Sequence, residues 1–185
     1  MAYDPYSRLK GTHAVLSPSN YHWIDYDDDK MASVTRNRLA TEKGTRFHSL
    51  AAELIALKTK LPRKQETLNL YVNDCINYAM EPEVMVYYND YCYGCMDAHS
   101  FNGKVLRISD LKTGETATSM KQLLIYAALF CLQNHLDPRS IEYILRKYQY
   151  CTYEEHRPTG EEVAWYVDRI RTRAAIVKDI YDMEG

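Results

Sequence analysis

Val105-Leu106-Arg107-Ile108-Ser109-Asp110-Leu111-Lys112-Thr113-Gly114 alternates with the period of a β-strand. Val105, Arg107, Ser109 and Leu111 fall on one side, and Leu106, Ile108, Asp110 and Lys112 on the other. Asp110 and Lys112 therefore end an otherwise apolar row, just before a Thr-Gly turn. Taken alone, such a pair reads as an ordinary strand-end ion pair. Such a pair also suits phosphodiester hydrolysis. The carboxylate holds a divalent metal, and the lysine orients or deprotonates the attacking water and offsets charge on the phosphate.

The neighbouring sequence favours the second reading. Gly94-Cys95-Met96-Asp97 lies upstream, and Asn102-Gly103 between the two segments is a strong hairpin signal. Pairing the flanking runs brings Asp97 and Asp110 into one neighbourhood. Gly44-Thr45-Arg46-Phe47-His48 stands in a helical pattern whose apolar stripe is Phe47, Leu50, Ala51, Leu54 and Leu57. His48 sits at the edge of that stripe, where a half-buried histidine bonded to backbone is the plain alternative. Downstream, Gln122 and Tyr126 share a helix face at i, i+4.

In this order the four motifs, Gly44-x-x-x-His48, Gly94-x-x-Asp97, Asp110-x-Lys112-Thr113-Gly114 and Gln122-x-x-x-Tyr126, resemble the RecB-type branch of the PD-(D/E)XK nuclease superfamily. The resemblance runs from about Leu16 to Tyr126. It implies that Asp97 and Asp110 are carboxylate ligands of Mg²⁺ or Mn²⁺, with the Leu111 carbonyl as a further ligand. His48 would be a ligand or would orient the substrate phosphate. Lys112 would be the catalytic lysine, and Gln122 and Tyr126 would position the nucleic-acid backbone or the water. Asp110 stands where many relatives have Glu, although this branch often uses Asp. Relatives often carry an acid shortly after the histidine. Here Glu53 lies about 140° around the helix from His48, which places it beside the ligand set, not in it. Some relatives hold an iron–sulfur cluster through one early and three late cysteines. Neither Trp23–Asp27 nor the stretch after Cys151 supplies them, so no iron–sulfur cluster is expected.

Composition frames the reading. The 185 residues suit one domain with a real core, and 46% hydrophobic and 26% charged residues are ordinary for a globular chain. A formal charge of −2 is not that of a basic nucleic-acid binder, so distribution has to carry the argument. Arg36, Arg38, Lys43, Arg46, Lys58, Lys60, Arg63 and Lys64 form a basic block around His48, with only Glu42 and Glu53 against them. Lys43 and Arg46 are its candidate phosphate contacts; a solvated helix face is the alternative for its Lys58–Lys64 end. The 17 tyrosines can stack on unpaired bases or fill sheet faces with wet edges. No run approaches the ~20 apolar residues of a membrane span, and Met1–Arg8 lacks a signal-peptide core. Five cysteines without a framework point to reduced thiols and a cytoplasmic location. Cys92-x-x-Cys95 is a lone pair; Cys75, Cys131 and Cys151 read as small core residues.

The elements follow in order. Residues 1–16 read as an irregular arm and 17–185 as one domain. Ser17-Pro18 opens a short helix through Ile24. Asp27–Lys30 breaks it, and a second helix runs to about Lys60. A third covers Thr67–Ala79. Strands fit Val84–Cys92, Gly94–Ser100 and Lys104–Lys112. A strongly apolar helix spans Thr118–His135, a strand Ile141–Cys151, and a last helix Glu161–Met183. The expected fold is α/β, a mixed central sheet flanked by helices with an N-terminal helical cap. That order matches the restriction-endonuclease-like αβββαβ core. The expected activity is metal-dependent DNA cleavage, exonucleolytic, in recombination, repair or phage DNA processing. The partners would be DNA and a recombinase, helicase or single-strand-binding protein, with no membrane. The alternative is a catalytically silent nucleic-acid-binding or assembly protein on the same fold.

Overall fold

A computed structural model of the chain describes residues 14–114 and 118–184. The described residues fall into two compact units, divided between Lys43 and Gly44. In the first, the short helix expected after Ser17-Pro18 is a 3₁₀ helix, Pro18–Asp25, kinked at Asn20. Ser17 precedes it without a side-chain cap; its hydroxyl bonds Ser19, and its carbonyl accepts from the Trp23 indole. Asp27 both ends this turn and starts α1 (Asp28–Ala56), because its carboxylate accepts from the Lys30 amide at 2.7 Å. The expected arm at residues 1–16 lies outside the described residues up to 13.

In the second unit, α2 (Thr67–Asn77) leads into β1 (Glu81–Asn89), β2 (Cys92–Phe101) and β3 (Val105–Leu111). These form an antiparallel meander whose second turn is the expected Asn102-Gly103, with Gly103 at φ +89°. α3 (Lys121–Gln133) then carries the chain to β4 (Glu142–Gln149), which pairs parallel to β3 from Val105↔Glu142 to Leu111↔Tyr148. A parallel neighbour needs such a crossover. β5 (Thr152–His156) adds an antiparallel edge, and α4 (Gly160–Glu184) follows. The protein is thus an α/β structure around a five-stranded mixed sheet in the order β1-β2-β3-β4-β5.

β5 is absent from the sequence reading. It follows a two-residue turn, Tyr150-Cys151, in which both residues have positive φ without being Gly or Asn. Three of its five residues are exposed and two are glutamates, as suits an edge strand. The same turn leaves Cys151 exposed, correcting its reading as a core residue; Cys75 and Cys131 are buried.

The alternation along β3 is realised as read. Leu106 and Ile108 pack with Tyr143 and Leu145 of β4 against α3 and against Val163 and Val167 of α4. Leu111 faces the other way, joining Tyr148, Ala51 and Ile55 of α1, and Tyr71, Val72 and Cys75 of α2. Both faces of β3 are therefore covered, and truncating Leu106 to Ala costs about 2–5 kcal/mol. Among the described residues, no helix is long and apolar enough to cross a membrane.

Candidate functional site

Asp110 and Lys112 finish the apolar row of β3 on the side facing α3. The Asp110 side chain is buried, only 3% exposed, and the Lys112 ammonium sits 3.0 Å from its Oδ1 and 2.9 Å from its Oδ2. Oδ2 is sealed from solvent and, among the described residues, has the Lys112 ammonium as its one polar neighbour, in an ion pair and not a well-aligned hydrogen bond. Such a group is costly to bury. Burial, with the charge of Asp97 added, pushes the Asp110 carboxyl above the usual carboxylate range; the Lys112 ammonium offsets part of this.

Lys112 also donates to Gln122 Oε1 at 2.8 Å, and Gln122 Nε2 donates to the Tyr126 hydroxyl at 3.3 Å. The i, i+4 spacing on α3 thereby becomes a continuous polar row leading outward from Asp110. Burial raises the Tyr126 hydroxyl pKa, so it remains a proton donor at neutral pH.

Asp97 reaches the site from β2. Its Oδ2 accepts the Leu111 amide at 2.8 Å, and its Oδ1 lies 3.3 Å from His48 Nδ1 on α1. This bond, opposed by desolvation, raises the His48 pKa. With Nδ1–H directed at a carboxylate, Nε2 is the nitrogen presented elsewhere. The Leu111 peptide lies at the site through its amide, whereas its side chain is buried in the opposite core.

The motif glycines have a steric reason. A methyl group on Gly44 would lie 2.9 Å from Thr113 Oγ1, and one on Gly94 would lie 2.9 Å from Tyr126 Cε1. Each lets one element carrying a site residue approach another. Arg46 is exposed on α1, in the turn before His48, and Lys43 is exposed in the first unit. Glu53 is exposed, and among the described residues it makes no hydrogen bond or ion pair with the cluster.

Sequence reasoning missed four contributors, Glu83, Tyr71, Lys147 and Gln149. Met96 belongs to the core against α3, and Ala98 to the core against α1 and α2, although residues two apart on a regular strand share a face. The pleat therefore breaks at Asp97. Opposite it, between the pairs Pro82↔Ala98 and Val84↔Met96, Glu83 adopts φ +51°. Glu83 and the buried Tyr71 line a small recess with His48, Ala51 and Asp97. Lys147, in register with Asp110 on β4, donates to the Thr118 carbonyl, and Gln149 donates to the Gly114 carbonyl at 2.7 Å. Both fix backbone on either side of the β3–α3 connection. None of these residues carries a local sequence signal, since each depends on pairing across strands.

Among the described residues, no three His, Cys, Asp or Glu side chains stand close enough to form a ready metal cage. Mg²⁺ needs no such cage, because one or two carboxylates with water and phosphate oxygens suffice. The donor types fit a hard divalent ion in chemistry: the Asp110 carboxylate, the Asp97 carboxylate and one imidazole. A cation there would reverse both causes of the raised Asp110 pKa. In comparison with known proteins, no family model, curated protein or solved structure matches the chain.

Proposed function

We propose that the protein is a Mg²⁺- or Mn²⁺-dependent DNA nuclease on a restriction-endonuclease-like core. The observation that carries this reading is the buried Asp110 carboxylate, paired with Lys112 and tied through it to the Gln122–Tyr126 row, with Asp97 and His48 beside it. The order of elements and the four motifs support the same reading. Asp110, Asp97, the Leu111 carbonyl and His48 would hold the ion, which when bound supplies Lewis-acid polarisation of the phosphate and activation of water.

The chain's own groups do the rest. Lys112 has three ammonium protons, of which Asp110 and Gln122 take two. The third is available to a phosphate oxygen or to the attacking water, where it offsets developing charge. Gln122 and Tyr126 fix the direction of that ammonium and present an amide and a phenol to the nucleic-acid backbone. Asp97, held by the Leu111 amide, fixes the imidazole of His48. Water attack in line with the leaving 3′-oxygen would yield a 5′-phosphate and a 3′-hydroxyl.

The test is cleavage of end-labelled linear, circular and flapped DNA with Mn²⁺, for the wild type, Asp110→Ala and Lys112→Ala. The expected result is metal-dependent cleavage of linear DNA that both variants lose, with circular DNA left intact if ends are needed. Undiminished cleavage in both variants refutes the reading. DNA binding without metal-dependent products would favour the silent-binder alternative.

A further inference from the structure

A second recess lies between α3, α4 and the β1–β2 turn, away from the carboxylates. It encloses about 530 Å³ and is walled by Tyr91, Ile125, Trp165, Tyr166, Arg169 and Arg173 among others. Trp165 is 54% exposed and Tyr91 40%; Tyr181 packs against the Tyr91 ring at 4.9 Å, so each ring keeps part of its surface open to solvent. Trp165, Arg169 and Arg173 form an i, i+4, i+8 stripe along α4. The Arg169 guanidinium lies over the Trp165 ring at 5.0 Å, and Tyr166 packs edge-on to the same ring at 5.0 Å. The two arginines are one turn apart, about 6 Å along the helix axis.

Resting on the nuclease reading, we infer that this groove is a binding surface for single-stranded DNA leading to the candidate site. Two observations choose that occupant. The first is chemical complementarity: open aromatic rings suit unpaired bases, and a line of arginines beside them suits the phosphates. The second is continuity. Ile125 of the groove adjoins Tyr126 of the site on α3. Cys92 of the groove lies two residues before Gly94, which packs against the Tyr126 ring. The same two elements therefore carry both places. A duplex keeps its bases stacked on each other and offers the rings nothing comparable.

The chain has two tryptophans, so Trp23→Phe leaves Trp165 as the sole indole reporter. In that full-length variant, with EDTA present to prevent turnover, titration with dT12 should quench Trp165 saturably. Arg169→Glu/Arg173→Glu should weaken binding at least tenfold. It should also make the log-affinity against log-salt slope shallower by about 1.4, at about 0.7 for each phosphate that is no longer neutralised. Tyr91→Ala, on the opposite wall, should weaken binding in the same direction. A 12-base-pair duplex should compete at least tenfold less well. Unquenched Trp165 while labelled dT12 binds, unchanged affinity on charge reversal, or tighter binding of U12 each overturns the inference. So does sedimentation showing a dimer that Trp165→Ala dissolves, which would make a second copy the occupant. Failure of the nuclease reading is separable: quenching by dT12 that survives Asp110→Asn, in a chain that never cleaves with Mn²⁺, leaves the groove standing and removes the catalysis.

Discussion

Two polar clusters flank the same sheet, and they are built on opposite terms. On the α2 side, Asp74 Oδ2 accepts from the Tyr148 hydroxyl at 2.8 Å and from Arg146 at 3.1 Å. Arg146 also bonds Glu155 at 2.7 Å, with the rings of Tyr78 and Tyr153 against its guanidinium at 5.1 and 4.6 Å. Every charged group there has a partner of opposite sign or a ring. On the α3 side, Asp110 also has a partner of opposite sign, Lys112, but it is the more deeply buried carboxylate, and burial together with the charge of Asp97 pushes its carboxyl pKa upward despite that partner. A network without a raised carboxylate stabilises a fold; a buried carboxylate whose pKa is pushed upward destabilises one when ionised and marks where function is expected. The difference between the clusters is the argument for assigning structure to one and chemistry to the other.

The largest expected effects separate activity from stability. Lys112→Ala and Asp110→Asn should each lower Mn²⁺-dependent cleavage of linear DNA by about 100-fold or more. Asp110→Asn should at the same time raise the unfolding midpoint in EDTA. The sign follows from the raised pKa. Relative to the unfolded chain, the folded state favours neutral Asp110, a contribution present below the unfolded carboxylate pKa and lost as pH rises through the raised folded value. At neutral pH the ionised side chain is thus a cost that Asn removes. A gain of ~1 kcal/mol would appear as about 2–4 °C in a chain of this size. Mn²⁺ at about 100 times its Kd should raise the wild-type midpoint by the equivalent of about 2.7 kcal/mol, and leave Asp110→Asn unmoved. A fall in midpoint for Asp110→Asn would make this cluster structural like the other.

The α2-side cluster should behave in reverse. Asp74→Ala leaves Arg146, whose side chain is 13% exposed, and the Tyr148 hydroxyl without their shared acceptor. That should cost about 2–3 kcal/mol, below the full value of a deeply buried pair because Glu155 remains. Urea titration should show it as a lower midpoint with unchanged slope, while cleavage measured well below that midpoint stays near wild type. A large loss of cleavage in folded Asp74→Ala would erase the division between the clusters.

How much of this is legible in the sequence differs between the two sides. The α3-side row can be read because β3 has period 2 and α3 period 3.6, so Asp110 with Lys112, and Gln122 with Tyr126, are each set by local spacing. Gly44 and Gly94 are visible as motif letters. Their reason is not, since Thr113 and Tyr126 are distant in sequence. The α2-side cluster is invisible for the same reason: Asp74 meets Arg146 and Tyr148 only once β4 has crossed over beside β3. β5 is hidden by a hairpin turn, Tyr150-Cys151, that uses neither Gly nor Asn.

A smaller effect concerns pH. His48 has a raised pKa through its bond to Asp97, so its contribution to stability is fully present below the unfolded histidine value near 6.5 and lost as pH rises through the folded one. His48→Gln should therefore lower the midpoint more at about pH 5.5 than at about pH 8.5. The imidazole is 32% exposed, so the difference should be only about 1 °C. An equal loss at both pH values would mean that the ring acts by packing, not by charge.

The sharpest probe of the comparison, again with a small expected change in stability, is at Glu83. Its φ of +51° inside β1 is unfavourable for any side chain, and no local turn requires it. What the strain obtains is placement: the recess that Glu83 shares with His48, Tyr71 and Asp97 lies where the pleat of β2 breaks. Glycine adopts that backbone freely, so Glu83→Gly should raise the unfolding midpoint slightly, by ~1 kcal/mol or less after glycine's larger unfolded-state entropy is counted. If the carboxylate serves the site, the same variant should lose cleavage, while Glu83→Gln, keeping shape and strain, loses cleavage without the gain in stability. Glu83→Gly that gains stability and cleaves normally would show that the strain positions Asp97 through the backbone alone, leaving Asp97 and Asp110 as the only acids the α3-side cluster needs.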